Sequence, residues 1–211
     1  MSTTTLPLNP LESKARIHAH VAFFAFLVGL PLGVLIARYL RTFTSSWFWP
    51  HAIVNFLFTG PLVFAGFTLG YQTTNMGGEF HFSDPHQKVG LALLVMYLAQ
   101  VFLGAFIHWV KLPFRFPGGR HPQNYLHAIL GLAIIALATW QTHYGLWIEW
   151  AFITGNIHPV NSRCKHFWLG IVVAMWSLYA IGLGLLPRQL KQEAATRRAK
   201  DEGYKDNVPL I

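Results

Sequence analysis

Residues 86–110, HQKVGLALLVMYLAQVFLGAFIHWV, decide how the rest of the chain is read. The stretch carries one lysine near its start and no other lysine, arginine or carboxylate. As a helix it is about as long as the hydrocarbon core of a bilayer is thick, so it reads as a membrane span. His86 stands at its start, and Gly90 lies one turn further along the same face. The arrangement recurs as His127-Ala128-Ile129-Leu130-Gly131. A histidine beside a groove floored by glycine offers a flat, metal-centred ring both a ligand and the space to lie in.

Four more blocks of this kind flank the first, at about 17–40, 47–71, 125–148 and 166–186. Each has about 20 or more residues with few charges, enough for a spanning helix. Trp47, Trp49, Trp109, Trp147, Trp150, Phe167 and Trp168 mark block ends, as an interfacial aromatic belt does. Turn residues fill the gaps, as in Asn75-Met76-Gly77-Gly78, Pro117-Gly118-Gly119 and His158-Pro159-Val160-Asn161. The expectation is an all-α membrane protein of five transmembrane helices. Residues 1–16 form a polar N-terminal segment, 17–187 the membrane domain and 188–211 a charged tail, solvated as a helix or without fixed structure. Met1 to Arg16 has no short apolar core ahead of a small-residue cleavage site, so it does not read as a signal peptide.

Composition agrees. The 211 residues are 53% hydrophobic and only 11% charged, and the formal charge is +8. The basic residues cluster between apolar runs, which is a membrane pattern and not a nucleic-acid surface. The single cysteine, Cys164, allows neither an internal disulfide nor a cysteine-rich metal site. Five spans put the termini on opposite sides. The side of Arg38, Arg41, Lys111, Arg115, Arg120 and the tail has 11 lysines and arginines against 5 on the other. That excess reads as cytosolic, with the N-terminus extracytoplasmic.

Ionisable groups in a bilayer are costly and mark function by default. Four of the 11 histidines, His18, His51, His86 and His127, fall within the first few residues of their spans. Because successive helices alternate in direction, His18 and His86 share the outer level and His51 and His127 the cytosolic one. The two levels lie on the order of 20 Å apart. Structural zinc wants four converging ligands, whereas these come in separated twos. Two axial imidazoles saturate a haem iron and favour electron transfer over oxygen chemistry. The core is therefore read as four helices around two haems. His20 is disfavoured, because Phe24 one turn on would crowd a ring. His166, followed by Gly170, fits the same pattern and stays open as an outer ligand. His81 sits in the outer loop just ahead of a ligand, where an acceptor could dock or a plain loop histidine could stand.

Residues 18–147 resemble the cytochrome b561 family, most closely its fungal and DOMON-linked form. The resemblance rests on His18 with Pro31-Leu32-Gly33 and Ala37-Arg38-Tyr39-Leu40-Arg41. It continues with Trp47-Phe48-Trp49-Pro50-His51 and Gly66-Phe67-Thr68-Leu69-Gly70. It ends with His86-Gln87-Lys88-Val89-Gly90, Gln100 and His127-Ala128-Ile129-Leu130-Gly131. It implies two haem b groups, on His18 with His86 and on His51 with His127. It also implies an ascorbate-like cytosolic donor and an outer acceptor, monodehydroascorbate or a ferric chelate. That activity is an ascorbate-dependent transmembrane (ferric-chelate) reductase. Ahead of the first span the sequence offers a short polar segment where linked members carry a DOMON domain. A homodimer or a separate redox partner is left open. Arg38, Arg41, Lys111, Arg115 and Arg120 make the cytosolic mouth basic, fit to hold an anionic donor or haem propionates, or only to obey the positive-inside rule.

Two other functions compete. A cytochrome b subunit of a quinone- or flavoprotein-linked reductase would place two histidines about 13–14 residues apart on one helix, twice, to span ~20 Å. Here His127 and His143 share a helix at a separation of 16, and no second helix repeats it. A haem-free transporter or scaffold would have no need of four in-register histidines followed by small residues.

Overall fold

The computed structural model describes residues 6–110 and 120–206, and every regular element among them is helical. Five helices are long and apolar enough to cross a membrane: α1 (Pro10–Leu40), α2 (Phe48–Gly77), α3 (Pro85–Trp109), α4 (Pro122–Ile153) and α5 (Ser162–Leu183). The chain is thus an all-α, multi-pass membrane protein by length and composition of its helices. A sixth helix, α6 (Leu186–Asp206), carries the charged tail, one of the two forms left open for it.

All but α2 start earlier than the apolar blocks, because a helix's first turn is built from capping and polar residues. α1 begins seven residues before Ile17, inside the segment read as a polar leader. Asn9 accepts from the Glu12 amide there, Glu12 returns a bond to the Asn9 amide, and Pro10 opens the helix. Asp84 caps α3 through the Gln87 amide at 3.0 Å, with Pro85 at the first position. That cap fixes His86 in the first turn. α2 ends on Gly78, whose φ of 69° only glycine adopts freely.

α1 to α4 form the core. Ala25 and Leu30 of α1, Val63 of α2, Leu93 and Tyr97 of α3, and Ile134 and Ala138 of α4 pack as one buried cluster at mid-bundle. Small residues set the spacing: a Cβ on Gly66 would already touch the Ala22 backbone at 3.5 Å, and one on Gly29 would collide with Thr59. Wider π-turns interrupt α1 at Phe24–Gly29, α2 at Val54–Phe58 and α4 at Gly145–Glu149. The Asn55 carbonyl, inside the second of these, accepts from the Tyr97 hydroxyl at 2.8 Å, tying α2 to α3. Outward faces carry Phe56, Leu57, Phe102 and Ile129, which is the surface that lipid covers. α5 lies outside the core, against α1. Arg38 donates to the Tyr179 hydroxyl at 2.9 Å, Tyr39 donates to the Leu178 carbonyl at 2.6 Å, and Gly182 leaves room for the Arg38 side chain.

Candidate functional site

His86 stands in the first turn of α3, His51 and His127 follow within the first two turns of α2 and α4, and His18 lies in the third turn of α1; antiparallel packing brings them together in twos. His18 and His86 face one another across α1 and α3, with ring centroids 6.1 Å apart and planes at 81°. His51 and His127 do the same across α2 and α4, at 6.3 Å and 69°. The second pair lies at the opposite end of the bundle. His51 contacts Gly33, which is 15 residues along α1 from His18, or about 20 Å at 1.5 Å per residue.

These spacings suit a metal held between two imidazoles. A metal–nitrogen bond is about 2.0 Å, and a five-membered ring of roughly 1.33 Å bonds has its centre about 1.1 Å from each atom. Two of each in line give ~6.2 Å from ring centre to ring centre. The hydrogen bonds choose the ligating nitrogen. His18 Nδ1 donates to the Gly66 carbonyl and His51 Nδ1 to the Gly33 carbonyl, both at 2.8 Å, so each Nε2 keeps its lone pair. Among the described residues no cluster of three or more histidines, cysteines or carboxylates could complete a protein-only metal site. Two imidazoles facing one another at this separation form a donor pair that would suit a planar tetrapyrrole.

The surroundings repeat at both ends. Gln141 Nε2 on α4 donates to the His86 carbonyl at 2.7 Å, and Gln100 Nε2 on α3 donates to the His127 carbonyl at 2.8 Å. The glycines one turn after these histidines stand opposite those glutamines. A Cβ on Gly131 would lie 2.9 Å from Gln100 Nε2, and one on Gly90 3.5 Å from Gln141 Nε2. The glycines that face the imidazoles sit on neighbouring helices. Cβ atoms on Gly70, Gly104 and Gly145 would approach Cε1 of His18, His127 and His86 at 3.0, 3.1 and 3.2 Å. Sequence reasoning missed this set, although a signal was present. The pattern His-x3-Gly-Leu-Ala-x7-Gln-x3-Gly occurs at residues 86–104 and again at 127–145. His51 is bounded by Asn55, whose Nδ2 donates to the His51 carbonyl at 2.8 Å, and by the Trp47 ring at 6.1 Å.

The other histidines stand elsewhere. His20 is exposed and bonds the Arg16 carbonyl on its own helix, and His166 is exposed at the start of α5, where Gly170 faces open space. The ring contact at this level is between His18 and His86. His81 stacks on Tyr71 at 3.8 Å, and its Nε2 is 2.7 Å from Asn75 Oδ1. A cleft of ≈ 480 Å³ opens at the N-terminal side, lined by Glu79, Asp84, Glu149, Phe80 and Tyr144 among others. The Tyr144 ring lies 6.1 Å from that of His86, so the cleft adjoins the first pair.

At the opposite end the predicted basic residues converge only in part. Arg41 Nε lies 2.8 Å from Glu193 Oε1, and Arg120 grips the same carboxylate through Nε and Nη2, each at 2.8 Å. Burial pushes the Arg41 guanidinium below its ordinary pKa; Glu193 opposes that shift, and Arg120 and Arg38 add to it. Arg41 also lies over the Trp47 ring at 4.7 Å, next to His51. Arg38 instead serves the α1–α5 contact, and Lys111 and Arg115 lie outside the described residues. Comparison of the chain with protein-family models, characterised proteins and solved structures gives no match.

Proposed function

We propose that the chain carries electrons across a membrane through two bis-histidine b haems, as members of the cytochrome b561 family do. The observation that carries this reading is the pair of imidazole pairs, at 6.1 and 6.3 Å, one at each end of a single four-helix core. His18 and His86 would hold one group and His51 and His127 the other. Bound there, each group supplies a one-electron couple and leaves no axial position for oxygen. The chain's own residues do the rest. The Gly66 and Gly33 carbonyls fix the imidazole tautomers, Gln141 and Gln100 tie the ligand-bearing turns across the bundle, and the apolar cluster between the levels excludes water.

The tail side is the cytosolic one by the positive-inside rule, and Arg41 and Arg120 there suit an anionic donor of the ascorbate kind. Monodehydroascorbate and ferric chelates are the acceptors in view. Glu79, Asp84 and Glu149 around the outer cleft disfavour anionic acceptors and favour a neutral or cationic ferric complex over monodehydroascorbate. The test is a reduced-minus-oxidised spectrum of the purified protein with a haem-to-chain ratio and a redox titration. Two b haems per chain, both reduced by ascorbate, support the proposal; a protein that takes up no haem refutes it.

A further inference from the structure

The tail helix meets the membrane domain at the place where the proposed donor would arrive, and the contact has an unusual composition. Glu193 is the acceptor for both Arg41 and Arg120, with side-chain exposures of 17, 28 and 16%. Around it the joined segments bury polar groups without satisfying them. Thr42, next to Arg41, is 0% exposed; Gln123, in the first turn of α4 after Arg120, is 6%; Gln189, one turn before Glu193, is 3%. Thr42 Oγ1, both amide atoms of Gln123 and Gln189 Oε1 have no hydrogen-bond partner. A seam made only for stability pairs such atoms, because each one left bare is costly. The surface leads inward from there, through Arg41 over Trp47 and Trp47 beside His51.

We infer that Glu193 is an internal competitor: its carboxylate occupies the Arg41–Arg120 seat, and an anionic donor must displace the tail helix to reach the cytosolic histidine pair. The inference rests on the proposed electron-transfer function for its consequence, and on the Glu193–arginine geometry for its existence. It makes α6 a gate whose closure weakens with donor concentration.

Two measurements on the full-length protein test it, the first of them on haem-loaded protein. In the first, haem reduction is followed against ascorbate concentration for the parent, Glu193→Gln and Glu193→Ala. Half-saturation should fall about tenfold in both variants, the scale of one charge-assisted pair removed from competition. Reduction by an uncharged hydroquinone, which gains the open gate but not the freed arginines, should change less than reduction by ascorbate, and an equal change in both overturns the competition. An unchanged or raised half-saturation overturns the inference. In the second, trypsin cleavage at the exposed Lys191 is timed with and without ascorbate, on protein with or without haem. Ascorbate should accelerate cleavage of the parent and leave Glu193→Ala at one fast rate. A parent whose cleavage ignores ascorbate overturns the gate even if the variants bind donor better. Haem content is read first from the spectrum. Its absence refutes the electron-transfer proposal alone, because the protease measurement needs no haem.

Discussion

Gly145→Leu should remove one haem and spare the other. Gly145 belongs to α4 but backs the His86 ring of α3, and an ideal Cβ there stands 3.2 Å from His86 Cε1. An alanine fits if the ring yields a few tenths of an ångström. A leucine adds carbons about 1.5 Å further on, which brings the nearest well inside van der Waals contact unless the imidazole swings away. The His18–His86 separation of 6.1 Å leaves no slack for such a swing, since it already matches two metal–nitrogen bonds. Overpacking of this kind costs about 1–3 kcal/mol, equivalent to roughly 5- to 150-fold weaker retention of the outer group. The His51–His127 pair lies about 20 Å away and should keep its haem. The assay is the haem-to-chain ratio with a redox titration on monodisperse protein, expected to fall from two to one with the loss of one wave. Gly104→Leu, which crowds His127 instead, should remove the other wave. If Gly145→Leu keeps two haems with both waves in place, the backing role of these glycines is wrong.

Other expectations are simpler. His86→Ala should yield a protein with a single haem at the cytosolic level, and His51→Ala one with a single haem at the outer level; two haems in either, counted from the absorption spectrum, would exclude the assignment. Tyr97→Phe strips the Asn55 carbonyl of its 2.8 Å donor and should destabilise the bundle by about 1 kcal/mol, the scale of polar contacts between membrane helices; an unchanged thermal midpoint in detergent would show that bond to be idle. Cys164, exposed at the start of α5, should react with a membrane-impermeant maleimide only from the extracytoplasmic side of intact cells or sealed vesicles; labelling only from the cytosolic side would invert the topology.

The fold was legible because a bilayer demands long apolar runs and the chain supplies five of them. Ends were less legible, since a helix start is decided by caps such as Asn9 and Asp84 and not by hydropathy. The pairing of His18 with His86 and of His51 with His127 followed from alternating helix direction alone. Their distances and tautomers did not, because those depend on carbonyls of Gly66 and Gly33 that are 48 and 18 residues away in the chain. For Gly90 and Gly131 the sequence did not show which neighbours stand opposite. They share a helix face with their histidines, and Gln141 and Gln100 reach across the bundle to stand near them. Glu193 gave no signal at all, because one carboxylate in a tail rich in both charges looks like solvent-facing surface until Arg41 and Arg120 are seen to converge on it.

The repeated pattern of residues 86–104 and 127–145 bears on direction. α3 and α4 run antiparallel, so each places the same histidine, glutamine and glycine at opposite ends of the bundle. α1 and α2 echo this, with His18 on Gly66 and His51 on Gly33. A core built from two copies of one part, turned over, has little means of its own to prefer one direction of electron flow. What differs lies outside it: a cleft edged by Glu79, Asp84 and Glu149 at one end, and two arginines under a tail helix at the other. In the proposed function the sense of transfer therefore comes from which redox partner each mouth admits. Exchanging the charges at the mouths would alter the substrates while leaving the histidine pairs and their spectra intact.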